Sequence, residues 1–345
     1  MESPPSGDIL DQTPESLGPV LGELGEPAYR ARQVLHGIYH HGRRRFDAMT
    51  DLPKTLRRRL AERFSLEPPR VRDVRQSGDG SRKYLLELRD GREIESVYLV
   101  DGERRTFCIS SQVGCAFGCD FCLTARMKLV RQLSPGEIVG QVLRMADEGG
   151  HGREGYNVVF MGMGEPLHNL DALATALELL LGPDGLAMSR RRVTVSTVGL
   201  PDGIRRLARL PRRPRLAVSL NAASDALRSR MMPVNRSHPL DELFRSLGEF
   251  PLSRGDRITF EYVLMAGVND AAADADALAR RVRGIPSKVN VIPFNEDPAL
   301  PYRRPETAVA EAFRDRLLQR KVAASIRWSR GADIRAACGQ LAVGG

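Results

Sequence analysis

Thr106-Phe-Cys-Ile-Ser-Ser-Gln-Val-Gly-Cys115-Ala-Phe-Gly-Cys119-Asp-Phe-Cys122 joins an apolar, strand-like start to a loop carrying three thiols in the order C-x3-C-x2-C. Three thiolates on one tight loop can hold three irons of a cubane 4Fe-4S cluster and leave the fourth iron bare. Such clusters are ordinarily closed by four thiolates. The missing ligand therefore reads as a position kept for a small molecule, as open positions are in catalytic metal sites. Two other readings stand beside this one. Zinc wants a fourth ligand, often His, and no His lies between His41 and His151. A C-x-x-C dithiol made of Cys119 and Cys122 leaves Cys115 without a part.

Outward from this stretch the chain keeps a βα rhythm. Strand-like runs at residues 106–110, 157–161, 192–197, 215–220, 258–264 and 288–292 alternate with helical stretches. Six such units imply an α/β fold, an incomplete parallel (βα)6 barrel. Ser134-Pro135-Gly136-Glu137 reads as a capped helix start, and Asn269-Asp270 as the cap of the Ala-rich helix that follows. Parallel barrels gather chemistry at the C-terminal ends of their strands. The Cys loop follows the first run, Gly162-Met163-Gly164-Glu165-Pro166 the second, Ser196-Thr197 the third, Ser219-Leu220-Asn221 the fourth and Asn295 the sixth. Gly162 and Gly164 let backbone approach a ligand, and the Glu165 carboxylate can accept from an ammonium group. Cys115, Cys119 and Cys122 are the candidate metal ligands. Gly164, Glu165, Ser196, Ser219, Leu220, Asn221 and Asn295 are the candidate cofactor-binding residues.

The rest of the 345 residues divides by charge and pattern. Six of the 43 acidic residues and none of the 52 Lys and Arg fall in residues 1–26, so the remainder carries a net +15. That excess points to a polyanion, nucleic acid, among its partners by composition alone. Residues 1–26, with four prolines, read as an acidic, poorly ordered tail. Residues 27–80 read as a basic helical accessory module that grips RNA: Ala31, Val34, Leu35, Ile38 and Tyr39 share one face, and Leu56, Leu60 and Phe64 another. Lys and Arg outnumber Asp and Glu by 15 to 6 over residues 28–83. Residues 81–103 alternate as a β-hairpin linker turning at Arg89-Asp90-Gly91, and residues 104–343 form the core. No apolar run approaches the ~18–20 residues of a membrane helix. Reduced thiols call for a reducing compartment, so a cytoplasmic protein is expected.

The two remaining cysteines narrow the reading. Cys108 lies seven residues before Cys115, and Cys338 stands in D-I-R-A-A-C-G-Q-L near the C-terminus. With P-A-Y-R-A-R-Q-V, F-D-A-M-T-D-L-P, E-S-V-Y-L, F-M-G-M-G-E-P-L-H-N, R-R-V-T-V-S-T-V-G, L-A-V-S-L-N-A, G-V-N-D and I-P-F-N in order, the chain resembles the RlmN/Cfr family of radical-SAM RNA methyltransferases from about residue 26 to 343. The resemblance implies a 4Fe-4S cluster, two S-adenosyl-L-methionine molecules per turnover, and an adenosine of 23S rRNA as substrate. In some members an adenosine at position 37 of tRNA is also a substrate.

It further implies that one donor methylates Cys338, that a 5′-deoxyadenosyl radical made from the second takes hydrogen from the S-methyl group, and that the carbon radical adds to the base. Glu95 then matches the proton acceptor. Cys108 attacks the sulfur of Cys338 to give a disulfide, which an external electron donor reduces. Methylation at adenine C-2 is the expectation, with C-8 methylation as the nearest rival and a non-catalytic iron–sulfur redox sensor as a rival of another kind. Where the family commonly has Ser-Leu-His, this chain has Ser219-Leu220-Asn221, and Asn cannot titrate.

Overall fold

In the computed structural model, which describes residues 7–149 and 155–343, the chain opens with a short strand β1 (Gly7–Asp8) and helices α1 (Pro14–Glu23), α2 (Arg30–Tyr39) and α3 (Lys54–Arg63). Helix α3 leads into β2 (Phe64–Ser65), which pairs with β1 in parallel. Ile9, Leu10, Leu17 and Leu21 are fully buried in the cluster that also holds Ala31, Val34, Leu35, Ile38, Leu56 and Leu60. The expected disordered tail is therefore corrected from Gly7 onward. Acidic composition masked four well-spaced aliphatic side chains and a capping box, in which Thr13 N–H donates to Ser16 Oγ (2.9 Å) and Ser16 N–H to Thr13 Oγ1 (3.3 Å). Residues 1–6 of that expectation lie outside the described residues. Helices α2 and α3 bury the faces expected of them.

An antiparallel meander follows, made of β3 (Arg70–Gln76), β4 (Arg82–Glu87), β5 (Glu93–Asp101) and β6 (Arg104–Cys108). Its β4–β5 turn is the expected one, with Gly91 in the left-handed region and its N–H donating to Leu88 O (3.0 Å). The hairpin is part of the main sheet rather than a linker, because β5 pairs with β6. Strand β3, which the expectation put inside the helical module, pairs with β4.

After β6 come β7 (Gln112–Val113), α4 (Leu123–Arg126), β8 (Arg131–Gln132) and α5 (Pro135–Gly149). Then β9 (Tyr156–Phe160), α6 (Leu170–Leu181), β10 (Val193–Thr197), α7 (Pro201–Arg209), β11 (Arg215–Ser219), α8 (Asp225–Met231), α9 (Leu240–Gly248) and β12 (Ile258–Leu264) alternate. The last elements are α10 (Ala272–Arg281), β13 (Ser287–Pro293), α11 (Thr307–Gln319) and β14 (Ala324–Ile326).

Sheet order is β14-β13-β12-β11-β10-β9-β6-β5-β4-β3, with every pairing from β6 to β14 parallel. The six expected parallel strands are present, and β14, three residues long and too short to show a period, adds a seventh. At α5, Glu137 N–H donates to Ser134 Oγ (3.2 Å) and Ser134 N–H to Glu137 Oε2 (3.0 Å), as the sequence implies. At α10 the expectation is corrected: Asp274 Oδ2 takes the Ala271 N–H (3.1 Å). Asn269 instead braces the end of β12, accepting from Met265 N–H (2.7 Å) and donating to Asn221 O and Val263 O (2.8 Å each). Asp270 Oδ1 takes the Gly267 N–H (3.0 Å).

Candidate active site

The C-terminal ends of the parallel strands open onto one solvent-open cavity, whose empty space together with its mouth is about 1030 Å³. Its lining includes Cys115, Cys119, Cys122, Gly164, Glu165, Ser196, Ser219, Asn221 and Cys338. Residues from strand ends and the loops that follow them, five segments in all, thus meet where the topology predicts. Each loop is pinned to its neighbour. Gly162 N–H donates to Ile109 O (3.0 Å), Met163 N–H to Ser110 Oγ (2.8 Å) and Glu165 N–H to Gln112 Oε1 (2.7 Å), so the Met163 loop is sewn to the chain just ahead of Cys115. Gly164 has φ +97°, and a Cβ there would come within 2.5 Å of the Gln112 side chain, so this approach requires glycine.

Burial sets the chemistry of the thiols. All five cysteines are free. Desolvation pushes Cys115 up to about 11 and raises Cys119 and Cys122, with the neighbouring thiols adding to the effect at Cys115 and Cys119. Such groups gain as thiolates only by binding a cation. Among the described residues no set of three or more His, Cys, Asp or Glu side chains gathers closely enough for a single metal ion. A cubane takes one thiolate per iron, so it asks only that three sulfurs ring a common space, and these three do.

Glu165 is 2% exposed, and desolvation raises it to about 7 despite hydrogen bonds from Val198 N–H (2.8 Å) and Leu167 N–H (3.0 Å). A buried carboxylate on a cavity wall invites a cationic partner. Glu261 also lines the cavity, and its Oε2 is buried with no hydrogen-bond partner among the described residues. A small cationic molecule suits this donor set, which brings a buried carboxylate and three thiols to one cavity.

Of the expected cofactor residues, Leu220 and Asn295 do not line the cavity. Leu220 is fully buried, its N–H donating to Glu261 O (3.0 Å) and its carbonyl accepting from Arg228 Nε (3.1 Å). Asn295 donates through Nδ2 to Ser329 Oγ (2.8 Å). Asn221 lines the wall but spends its Oδ1 on Val263 N–H (2.9 Å), at φ +59°. Asn is among the few residues at ease in that left-handed conformation, so here it holds β11 to β12.

Cys338 opens onto the cavity on a segment tied to the Cys loop. Leu123 N–H donates to Gly339 O (2.8 Å) and Thr124 Oγ1 to Leu341 O (2.5 Å). Gly339, at φ +81°, leaves only 3.2 Å between a would-be Cβ and Phe121 O. Cys108, at the end of β6, is 7% exposed and raised to about 12 by desolvation and by Cys338, while Arg327 opposes the shift. Desolvation raises Cys338 too, again against Arg327. One guanidinium therefore bears on both sulfurs. Glu95 stands off the cavity, its Oε1 2.9 Å from Lys83 Nζ and its Oε2 accepting Ala342 N–H (2.9 Å).

Sequence reasoning missed Arg228, Glu261, Arg327 and Lys83. Arg228 is wholly buried, bonding to Leu220 O, Val198 O and Asn235 Oδ1, and desolvation lowers it to about 10. It ties the β10 and β11 loops together beside Cys119. A lone Glu261 inside the apolar run Ile258–Leu264 was the available signal, since unpaired carboxylates are seldom buried without cause.

Fold and site together define a radical-SAM enzyme. Residues 109–279 match the model of the radical SAM superfamily, and residues 7–66 that of the ribosomal RNA large subunit methyltransferase N-terminal domain. The chain is 49% identical to the dual-specificity RNA methyltransferase RlmN of Anaeromyxobacter dehalogenans, over 98% of this chain and 92% of that protein. It is 41% identical to RlmN of Nitratiruptor, over 97% of each. The solved radical SAM methyltransferase from Sphaerobacter thermophilus superposes with a TM-score of 0.91 at 44% identity, covering 97% of this chain and 99% of that one. The chain belongs to the RlmN family of radical-SAM RNA methyltransferases.

Proposed function

We propose that this enzyme methylates C-2 of an adenosine in 23S rRNA, and of adenosine 37 in tRNA, with Cys338 as methyl carrier. The observation that carries the reading is the presence of Cys338 in the same cavity as the three loop thiols and Glu165. Cys115, Cys119 and Cys122 would hold a 4Fe-4S cluster, and Glu165 with Ser196, Ser219 and the glycine loop would hold S-adenosyl-L-methionine, two molecules being used per turnover. Bound together, cluster and donor supply a 5′-deoxyadenosyl radical.

The chain's own residues do the rest. Cys338 accepts the first methyl group as a thioether. Glu95 would take the ring proton of the adenine adduct, whose unpaired electron would return to the cluster. The thiol of Cys108 attacks Cys338 sulfur as the carbon–sulfur bond to the product breaks, the bonding pair and the thiol's proton go to the product carbon to complete its methyl group, and the resulting disulfide is reduced by an external donor of two electrons. The basic module of α2 and α3, with Arg58 and Arg59 exposed, supplies phosphate contacts, and the enzyme works in the cytoplasm. Among the described residues no helix is long and apolar enough to cross a membrane.

Anaerobic reconstitution followed by mass spectrometry of protein and RNA tests this reading. A methyl on Cys338 before turnover and 2-methyladenosine in the product are expected. An 8-methyladenosine product, or full transfer by a Cys338→Ala protein, would overturn it.

A further inference from the structure

We infer that Lys83 is a positioning residue for Cys338, acting through a buried ion pair with Glu95 that clamps both sides of the Cys338 segment. The inference rests on the reading of Cys338 as the methyl carrier. Leu85 faces Glu95 and Lys83 faces Val97 across the β4–β5 ladder, so Lys83 and Glu95 are diagonal neighbours on one face. Their Nζ and Oε1 are 2.9 Å apart, with side chains 5% and 7% exposed. Each charge makes one further bond, and both bonds reach the same stretch of chain. Lys83 Nζ donates to Arg335 O (3.4 Å), and Glu95 Oε2 accepts from Ala342 N–H (2.9 Å). Arg335 and Ala342 bracket Cys338.

The energetics explain why a charge pair stands here. Burying two ions costs desolvation that their attraction roughly offsets, so an apolar pair of similar volume serves stability as well or better. An apolar pair could not, however, supply a donor for Arg335 O and an acceptor for Ala342 N–H. Past the short 3-10 turn Ala332–Ile334 the segment is in neither helix nor sheet, so its backbone must find partners elsewhere. Arg335 itself holds φ +53°, a conformation costly for a residue with a side chain and kept only where its surroundings enforce it. Leu123 and Thr124 fasten Gly339 and Leu341, just after Cys338, to the Cys loop. The clamp ties Arg335 and Ala342 to the hairpin, and the thiol is held between these two sets of anchors.

Lys83→Met removes charge and donor at similar length and leaves Glu95 in place. In the reconstituted enzyme this variant keeps its cluster absorbance. Amide hydrogen exchange across residues 335–343 rises at least tenfold relative to wild type, and S-methyl loading of Cys338, followed by mass spectrometry, slows at least tenfold. That loading precedes any proton removal by Glu95, so it reports the clamp and not the base. Lys83→Arg restores a large part of both. The double variant Lys83→Met/Glu95→Met, with no unpaired charge left in the interior, recovers melting temperature without recovering exchange protection or loading, and it carries the test if the single variant fails to fold. Wild-type exchange and loading in Lys83→Met, or recovery of loading together with melting temperature in the double variant, overturns the inference. Absence of Cys338 methylation in the wild-type enzyme would sink the functional reading instead, and exchange at 335–343 would still decide the clamp.

Discussion

Strands β9, β10 and β11 deliver functional groups from their C-terminal ends and the loops that follow, whereas β4 and β5 of the same sheet deliver Lys83 and Glu95 from within the strands. Topology dictates the difference. Parallel strands end on one side, so their loops collect around one cavity. Antiparallel strands end alternately on opposite sides, and only the side chains of one face can reach a common place. A loop-built wall can take many side chains, and each is fixed by the bonds of its own loop. A mid-strand pair has its place set by register, so it can fix a distance between the sheet and whatever packs on it.

The largest expected effect lies on the loop-built side. Cys119→Ser should leave a folded protein, since Cys119 belongs to the small cluster around Met231, Met232 and Phe294 rather than to the main core, yet lose the 4Fe-4S cluster and with it all methyl transfer. Iron and sulfide analysis alongside the visible absorption of the reconstituted protein checks this. A full complement of iron in that variant would break the assignment of the wall.

Next comes Asn221→Ala. The left-handed backbone there costs Ala about 1–2 kcal/mol, and the orphaned Val263 N–H costs about 1–3 more. Unfolding in urea should show a loss of about 2–5 kcal/mol, and Asn221→Gly a smaller one, because glycine removes the strain but not the lost acceptor. Equal losses would mean that the strain at this strand end is not real. Glu165→Gln is a step weaker. Removing a charge-assisted bond of about 1.5–3 kcal/mol should weaken S-adenosyl-L-methionine binding to the reconstituted enzyme by roughly 10- to 150-fold. Equilibrium dialysis reads it directly, and unchanged affinity would move the ammonium site elsewhere on the wall.

The same contrast governs what could be read in the sequence. The parallel half was legible: the six expected strands, the Cys loop and the glycine-rich Met163 loop sit where the βα rhythm puts them, because topology alone sends strand-end residues to one rim. Leu220 and Asn295 were placed on the cavity by that rule and are not on it. A strand-end address names the rim but not which way a side chain turns. The short β14 carried no period, and the N-terminal helix hid its four aliphatic residues among acids. Lys83 was illegible for a different reason. Lys83 reaches Arg335 and its ion-pair partner Glu95 reaches Ala342, each about 250 residues away along the chain, and no local pattern records a contact of that range.

The smallest expected effect tests the face distinction within one strand. Ser96 follows Glu95 on β5 and so points to the opposite face, where its Oγ donates to Gln141 Oε1 of α5 (2.7 Å). Gln141 keeps its other bonds without Ser96, accepting from Ser110 N–H (2.7 Å) and donating to Ser110 O (2.9 Å). Ser96→Ala therefore removes one neutral hydrogen bond and orphans nothing, a loss of about 1 kcal/mol, read as a small shift of the urea midpoint at constant slope. Cluster content, Cys338 loading and exchange at 335–343 should match wild type. If Ser96→Ala slowed Cys338 loading as much as Lys83→Met does, the effect of Lys83 would belong to the strand as a whole, and the face of β5 that meets the Cys338 segment would have no special standing.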